Sequence, residues 1–332
     1  MRCAVIGAGA WGTALADLLA DNGHDVVLWA FEPDVAASIN EAHENRRFLA
    51  GFPLHPSLRT TTHYADALDG VELVVYATPS HLLRSILRGG AAKVPAGAIL
   101  TVATKGIERS TRALMTTVVD EETRGAHAVI GLSGPSFAAE VVAGQPTAIV
   151  AASSNVDAAR CAQSALSNAT FRVYTADDVI GVELAGALKN VMAVATGIVE
   201  GVGLGFNSRA GLITRGLHEM TRLGVALGAQ PATFAGLAGV GDLVLTCTGA
   251  LSRNRALGVE IGHGATLDAA LLGKETVAEG VTTAASALVL AEEHGVDMPI
   301  VQMVNRILFD GHTARSAVPE LMARELRSEQ DL

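Results

Sequence analysis

Cysteine is scarce in this chain of 332 residues: Cys3, Cys161 and Cys247 are odd in number, far apart, and form no C-x-x-C pair. Neither a disulfide framework nor a zinc ribbon fits three such residues, and a reducing cytoplasm is the expected setting. Charge is sparse as well, at 17% of residues, and its balance is negative, with a formal net charge of -10. General nucleic-acid and anionic-membrane binders need a cationic surface to displace counterions, so both classes are disfavoured, and any bound phosphate must be held locally. Long uncharged apolar runs are missing too. Arg2 precedes an apolar stretch as in a signal peptide, but Gly7, Gly9, Gly12 and Asp17 break it, and the stretch 191–199 is flanked by Lys189 and Glu200, short of the ~18 residues of a membrane span. A soluble, unprocessed chain is expected. The ten histidines form no H-E-x-x-H or H-x-E pattern, so no metal is expected.

What the chain does have is apolar residues, 49% of the total, enough for two domains with substantial cores. Up to about residue 180, short β-favouring runs at 3–6, 26–29, 73–77, 99–104, 128–132, 148–152 and 171–174 alternate with longer amphipathic stretches. That alternation predicts a parallel, doubly wound α/β sheet. Seven of the ten prolines lie at or before Pro146, mostly where strands meet loops. From Val182 onward no proline occurs until Pro231, and apolar residues recur at helical spacing, which predicts an all-α domain. The expected division is 1–180 and 181–332. With no linker rich in Pro, Ser or charge near 175–185, the domains are expected to share a helix or pack closely, with the active site between them.

Residues 3–12 read CAVIGAGAWG, an apolar strand running into Gly7-x-Gly9-x-x-Gly12, followed by a helix that stops before Gly23 and a second strand at 26–29. In that setting the glycines are the fingerprint of a Rossmann-type dinucleotide site. Gly7 allows the tight turn, Gly9 lets the backbone approach a pyrophosphate, and Gly12 lets helix pack on strand. A tight turn without ligand is the plain alternative. After the second strand comes Phe31-Glu32-Pro33, with no basic residue until His43. An acid there accepts bonds from the adenosine ribose of NAD, so NADH is expected to serve at least as well as NADPH. The sequence GLAGVGD at 236–242 has the wrong spacing and reads as helix-packing glycine and an interhelical turn.

Lys105, in VATKG, lies at the carboxyl end of a strand, the edge where open α/β sheets bind ligands, with a solvated loop lysine as the commoner alternative. Lys189 lies inside VELAGALKNVMAVATGIV, a helix apolar on nearly every face. Desolvation of an amine there disfavours its charged form and suits a proton-transfer group; a snorkelling lysine at the helix edge is the alternative. Asp242 opens an apolar helical turn with Thr246 four residues on, and an N-cap is the simple reading of that aspartate. Ser252-Arg253-Asn254-Arg255 is a compact donor cluster suited to a phosphate, though Arg255 also reads as ordinary surface charge. Ser136, in GLSGPSF, is not in a nucleophile elbow, because Pro135 stands where glycine is required. Its loop is expected to offer backbone N–H groups and a hydroxyl to a ligand.

Together, GAGAWGTALA at 7–16, ATKG at 103–106, SGPSFAAE at 133–140, LKNV at 188–191, ITRGLHEMTRLG at 213–224, GVGDLVLTCT at 239–248 and SRNR at 252–255 resemble the bacterial NAD(P)-dependent glycerol-3-phosphate dehydrogenases, from residue 1 to about 325. The resemblance implies a cytoplasmic homodimer that reduces dihydroxyacetone phosphate to sn-glycerol 3-phosphate, a phospholipid precursor, using NAD(H) or NADP(H) and no metal. It implies that Lys189 donates and accepts the proton, with Lys105 polarising the same region and Asp242 orienting or balancing the lysines. Lys105, Gly134, Ser136, Asp242, Ser252, Arg253 and Asn254 would contact the glycerol phosphate; Ala10, Trp11, Ala138, Arg253, Val277 and Glu279 would contact cofactor. Phe31 stands where the family commonly has a basic residue near the ribose, and Ser136 where it often has threonine. A related two-domain β-hydroxyacid dehydrogenase and a non-catalytic dinucleotide sensor are the alternatives.

Overall fold

The structure, a computed structural model, describes residues 1–273, 278–326, 328 and 329. It divides into two compact units, one of Met1–Lys105 and Ala113–Glu183, the other of Gly106–Arg112 and the chain from Leu184 onward. The division falls within the helix Val179–Gly201.

The first unit is built on eight strands: β1 Arg2–Ile6, β2 Asp25–Trp29, β3 Arg59–Thr61, β4 Leu73–Tyr76, β5 Ile99–Val102, β6 Val129–Ser133, β7 Thr147–Ala152 and β8 Phe171–Ala176. They lie in the order β3-β2-β1-β4-β5-β6-β7-β8. Successive residues of β1 face opposite sides: Cys3 and Val5 pack with Leu15 and Leu19 of the helix Ala10–Asp21, while Ala4 and Ile6 pack with Leu83 and Leu87 of the helix Ser80–Gly90. Burial on both faces explains why the central strands β1, β2, β4 and β5 are nearly continuous apolar runs. β1 and β4 are neighbours whose connections run to opposite edges of the sheet. The carboxyl ends of such a pair open the crevice in which this architecture binds ligands.

Two features differ from the sequence expectation. β3 was not anticipated, because Arg-Thr-Thr carries no apolar pattern and is recruited as an edge strand against β2. The sheet is also not wholly parallel, since β7 runs antiparallel to β6. The only described helix between them is Ala138–Val142, about 7.5 Å long at 1.5 Å per residue. A crossover must return along a strand of about 17 Å, so the chain turns back beside β6 instead.

Every regular element described in the second unit is helical, the longest after Val179–Gly201 being Phe206–Ala226. Val179–Gly201 meets the length and hydropathy of a membrane span, but 89% of its most apolar window is buried within the protein. The stretch 231–248 meets them too, although Gly239 interrupts it with a non-helical backbone (φ -86, ψ -105). Gly197 and Gly201 meet Gly258 and Gly262 of the helix Arg253–Gly262: a Cβ on Gly197 would lie 2.1 Å from the Arg255 carbonyl oxygen, and one on Gly258 2.2 Å from that of Val194. Glycines four apart share a helix face, so these helices touch backbone to backbone, which brings the start of Arg253–Gly262 beside Asn190.

Candidate functional site

The glycine loop joins β1 to the helix Ala10–Asp21. Gly7 has φ +114, and a Cβ there would lie 2.8 Å from the Ala77 carbonyl oxygen; one on Gly12 would lie 1.8 Å from that of Gly7. Both positions require glycine for the turn itself. Gly9 differs, since its Cβ would meet nothing within 4 Å. It caps a helix that has no side-chain cap and no acid in its first turn, so that no capping side chain satisfies the first N–H groups or offsets the positive end of the dipole. An anionic pyrophosphate fits that cradle. Trp11 beside it has a buried indole Nε1 with no partner among the described residues. Phe31, after β2, is 76% exposed and packs edge-on to Trp29. Glu32 caps the helix Pro33–Ala42 without a side-chain bond, and Ala138 opens the short helix Ala138–Val142.

Also in the first unit, Lys105 follows β5 and its Nζ donates to the Gly134 carbonyl at 3.3 Å. Ser136 Oγ donates to the same carbonyl at 3.0 Å. Gly134 has φ +144, and a Cβ there would lie 2.8 Å from Ile149 Cα. Three residues singled out from two strand ends thus gather at one oxygen.

In the second unit, Lys189 has a side chain only 10% exposed, and its Nζ donates to Asp242 Oδ1 at 2.6 Å and to Thr246 Oγ1 at 2.8 Å. Asp242 is 1% exposed. It is not an N-cap: it is the first residue of Asp242–Thr248, capped in turn by Gly241, and its carboxylate is directed to the lysine instead. The π-helical turn Leu237–Gly241 that precedes it brings Gly239 within 2.0 Å, measured from an added Cβ, of the Phe234 carbonyl oxygen. Such turns are rare and occur frequently at functional sites. Burial alone would strip Lys189 of its proton, whereas a carboxylate in contact favours the ammonium. The ammonium is thus held by an ion pair and a hydroxyl within an apolar helix bundle.

Asn254 Nδ2 donates to Asn190 Oδ1 at 3.0 Å, and Asn254 Oδ1 accepts from Gly280 N at 2.9 Å. Ser252 is the N-cap of Arg253–Gly262, accepting from Arg255 N at 3.2 Å. Arg253 is exposed, with surrounding protein disfavouring its charge and Glu279 supporting it. Arg255 pairs with Glu200 through two bonds, at 2.8 and 3.1 Å, and so is a structural ion pair. Glu279 opens the helix Glu279–Glu293, and Val277 lies outside the described residues. Asn190 had not been singled out. The available signal was an amide in an apolar helix, because a buried amide needs a partner. No group of three or more potential metal ligands occurs among the described residues.

Residues 2–159 match the family model described as the N-terminus of NAD-dependent glycerol-3-phosphate dehydrogenase, and 178–319 match that of its C-terminus. The glycerol-3-phosphate dehydrogenase [NAD(P)+] of Trichlorobacter lovleyi is 52% identical, covering 99% of this chain and 100% of the relative. That of Citrifermentans bemidjiense is 50% identical over 99% and 98%. The crystal structure of glycerol-3-phosphate dehydrogenase from Coxiella burnetii superposes with a TM-score of 0.93 at 39% identity, covering 97% of this chain and 99% of that one.

Proposed function

The chain belongs to the NAD-dependent glycerol-3-phosphate dehydrogenase family, and on that premise we propose that it reduces dihydroxyacetone phosphate reversibly to sn-glycerol 3-phosphate with Lys189 as the proton donor. The observation that carries this reading is the buried Lys189–Asp242–Thr246 set. When bound, the reduced nicotinamide supplies the hydride that the substrate C2 carbonyl carbon accepts. Lys189 Nζ gives its proton to the carbonyl oxygen as negative charge develops there, and takes it back in the reverse direction. Asp242 and Thr246 fix the direction of that ammonium, and a carboxylate in contact favours its charged form. Arg253 and Asn254 grip the phosphate, with the Ser252 hydroxyl at the same helix start. Lys105, Gly134 and Ser136 serve as substrate contacts of the first unit, and Lys105 adds positive charge for the carbonyl.

The backbone at Gly7, Gly9, Ala10 and Gly12 holds the pyrophosphate, with Trp11, Phe31, Ala138, Arg253 and Glu279 as further cofactor contacts. Family membership further supports a cytoplasmic homodimer that feeds glycerophospholipid synthesis; light scattering on the purified chain tests the dimer. Mixing the protein with NADH or NADPH and dihydroxyacetone phosphate should bleach the nicotinamide absorbance band. No bleaching with either cofactor overturns the proposed activity.

A further inference from the structure

A dinucleotide fold recognises the adenosine ribose at the turn after its second strand, and a cation at that turn accommodates a 2′-phosphate. Here the turn is Phe31-Glu32-Pro33-Asp34, which has no cation of its own. The structure brings one in from the following segment. After the helix Pro33–Ala42 the chain reverses at His43, in left-handed conformation (φ 50). Arg47 Nη1 then lies 3.4 and 3.5 Å from the two carboxylate oxygens of Asp34. We propose that Arg47 recognises the 2′-phosphate of an NADP-type dinucleotide; the proposal rests on reading the glycine loop as the dinucleotide site.

The segment carrying Arg47 is tied to that loop. Asn45 is fully buried, and its Nδ2 donates to the carbonyl oxygen of Ala8, between Gly7 and Gly9, and to Thr13 Oγ1, both at 2.8 Å. Its Oδ1 accepts from Phe48 N at 3.0 Å. One side chain therefore sets both the pyrophosphate turn and the short turn that presents Arg47. The Arg47–Asp34 pair is long, and the two side chains are 34% and 65% exposed, so it is readily exchanged. A phosphate dianion offers three oxygens and more charge to a planar guanidinium that forms paired bonds. Asp34 competes for the guanidinium and repels the phosphate, which keeps the unphosphorylated cofactor usable.

The test is calorimetric titration of adenosine 2′,5′-bisphosphate and of 5′-AMP into the full-length protein, with no substrate and no turnover. Arg47→Gln should weaken the bisphosphate about tenfold or more and leave 5′-AMP within about twofold, the scale of one charge-assisted contact. Arg47→Lys should fall between, and Asp34→Asn should strengthen the bisphosphate, with thermal unfolding confirming that each variant folds. Equal losses for both ligands, or none, overturn the proposal. Selective loss without dihydroxyacetone phosphate reduction would leave this inference standing and overturn the activity; normal reduction without selective loss would do the reverse.

Discussion

The glycine loop and the Lys189 cluster are built by opposite means. The loop is made of backbone: Gly7 and Gly12 are excluded from bearing a Cβ by carbonyl oxygens, and Gly9 leaves open space before a helix start. The Lys189 site is made of side chains whose partners are 53 and 57 residues away in sequence. A backbone cradle is specified by where side chains are absent, and so is written in local spacing. A buried ionic site is specified by which side chains meet, and depends on the packing of several helices. The comparison predicts different consequences of mutation in the two regions.

The largest effect should come at the side-chain site. Lys189→Ala is expected to lower kcat at least about 100-fold, the low end for loss of a general acid, while NADH titration shows cofactor binding retained. A near-normal rate would remove Lys189 from the chemistry. Arg253→Ala should act next, raising the KM for dihydroxyacetone phosphate by roughly 10- to 100-fold, the scale of a charged hydrogen bond. An unchanged KM would move the phosphate site elsewhere.

At the backbone site, Gly9→Ala should weaken NADH on the order of tenfold, a loss of about 1.4 kcal/mol, with the unfolding temperature of the free protein unchanged. Gly12→Ala should weaken binding and lower the unfolding temperature together, because its Cβ would lie 1.8 Å from the Gly7 carbonyl oxygen. Matching behaviour of the two variants would break the distinction between a glycine kept for ligand and one kept for fold.

The smallest effect concerns a buried acid at the start of another helix. Glu219 accepts from Ile300 N at 2.8 Å and Val301 N at 3.3 Å, at the start of the helix Pro299–Phe309. Burial pushes its carboxyl from the ordinary 4.5 up to about 8, against those two hydrogen bonds, which favour the carboxylate. Between these values the folded protein keeps a proton that the unfolded chain has released, so stability falls as pH rises through that window. Urea-unfolding midpoints measured on either side of it should differ less in Glu219→Gln than in the parent. An undiminished difference would assign the pH dependence to other groups, Glu183 first, since burial raises it to about 7.

Much of this was legible beforehand, and for identifiable reasons. Seven apolar runs marked seven strands, the central ones continuous because they are covered on both faces. β3 escaped because Arg59-Thr60-Thr61 is held by an edge position and not by an apolar pattern. Asp242 looked like an N-cap because its sequence neighbourhood is that of a helix start; only the approach of Lys189 from another helix gives its carboxylate a different partner. Arg47 was hidden for a related reason. Counting along the chain from Glu32, it is distant, whereas the reversal after His43 returns it to Asp34.

The sequence by itself determined the glycine turn between β1 and its helix, the change from mixed to helical architecture, and the family, since each is carried by residue spacing or by motifs read in order. The tertiary structure decided that Lys189 is paired, that Asn190 and Asn254 form one network through a glycine crossing, and that Arg47 returns to Asp34. These are encounters between remote side chains, and they follow from how the backbone packs in three dimensions rather than from local pattern.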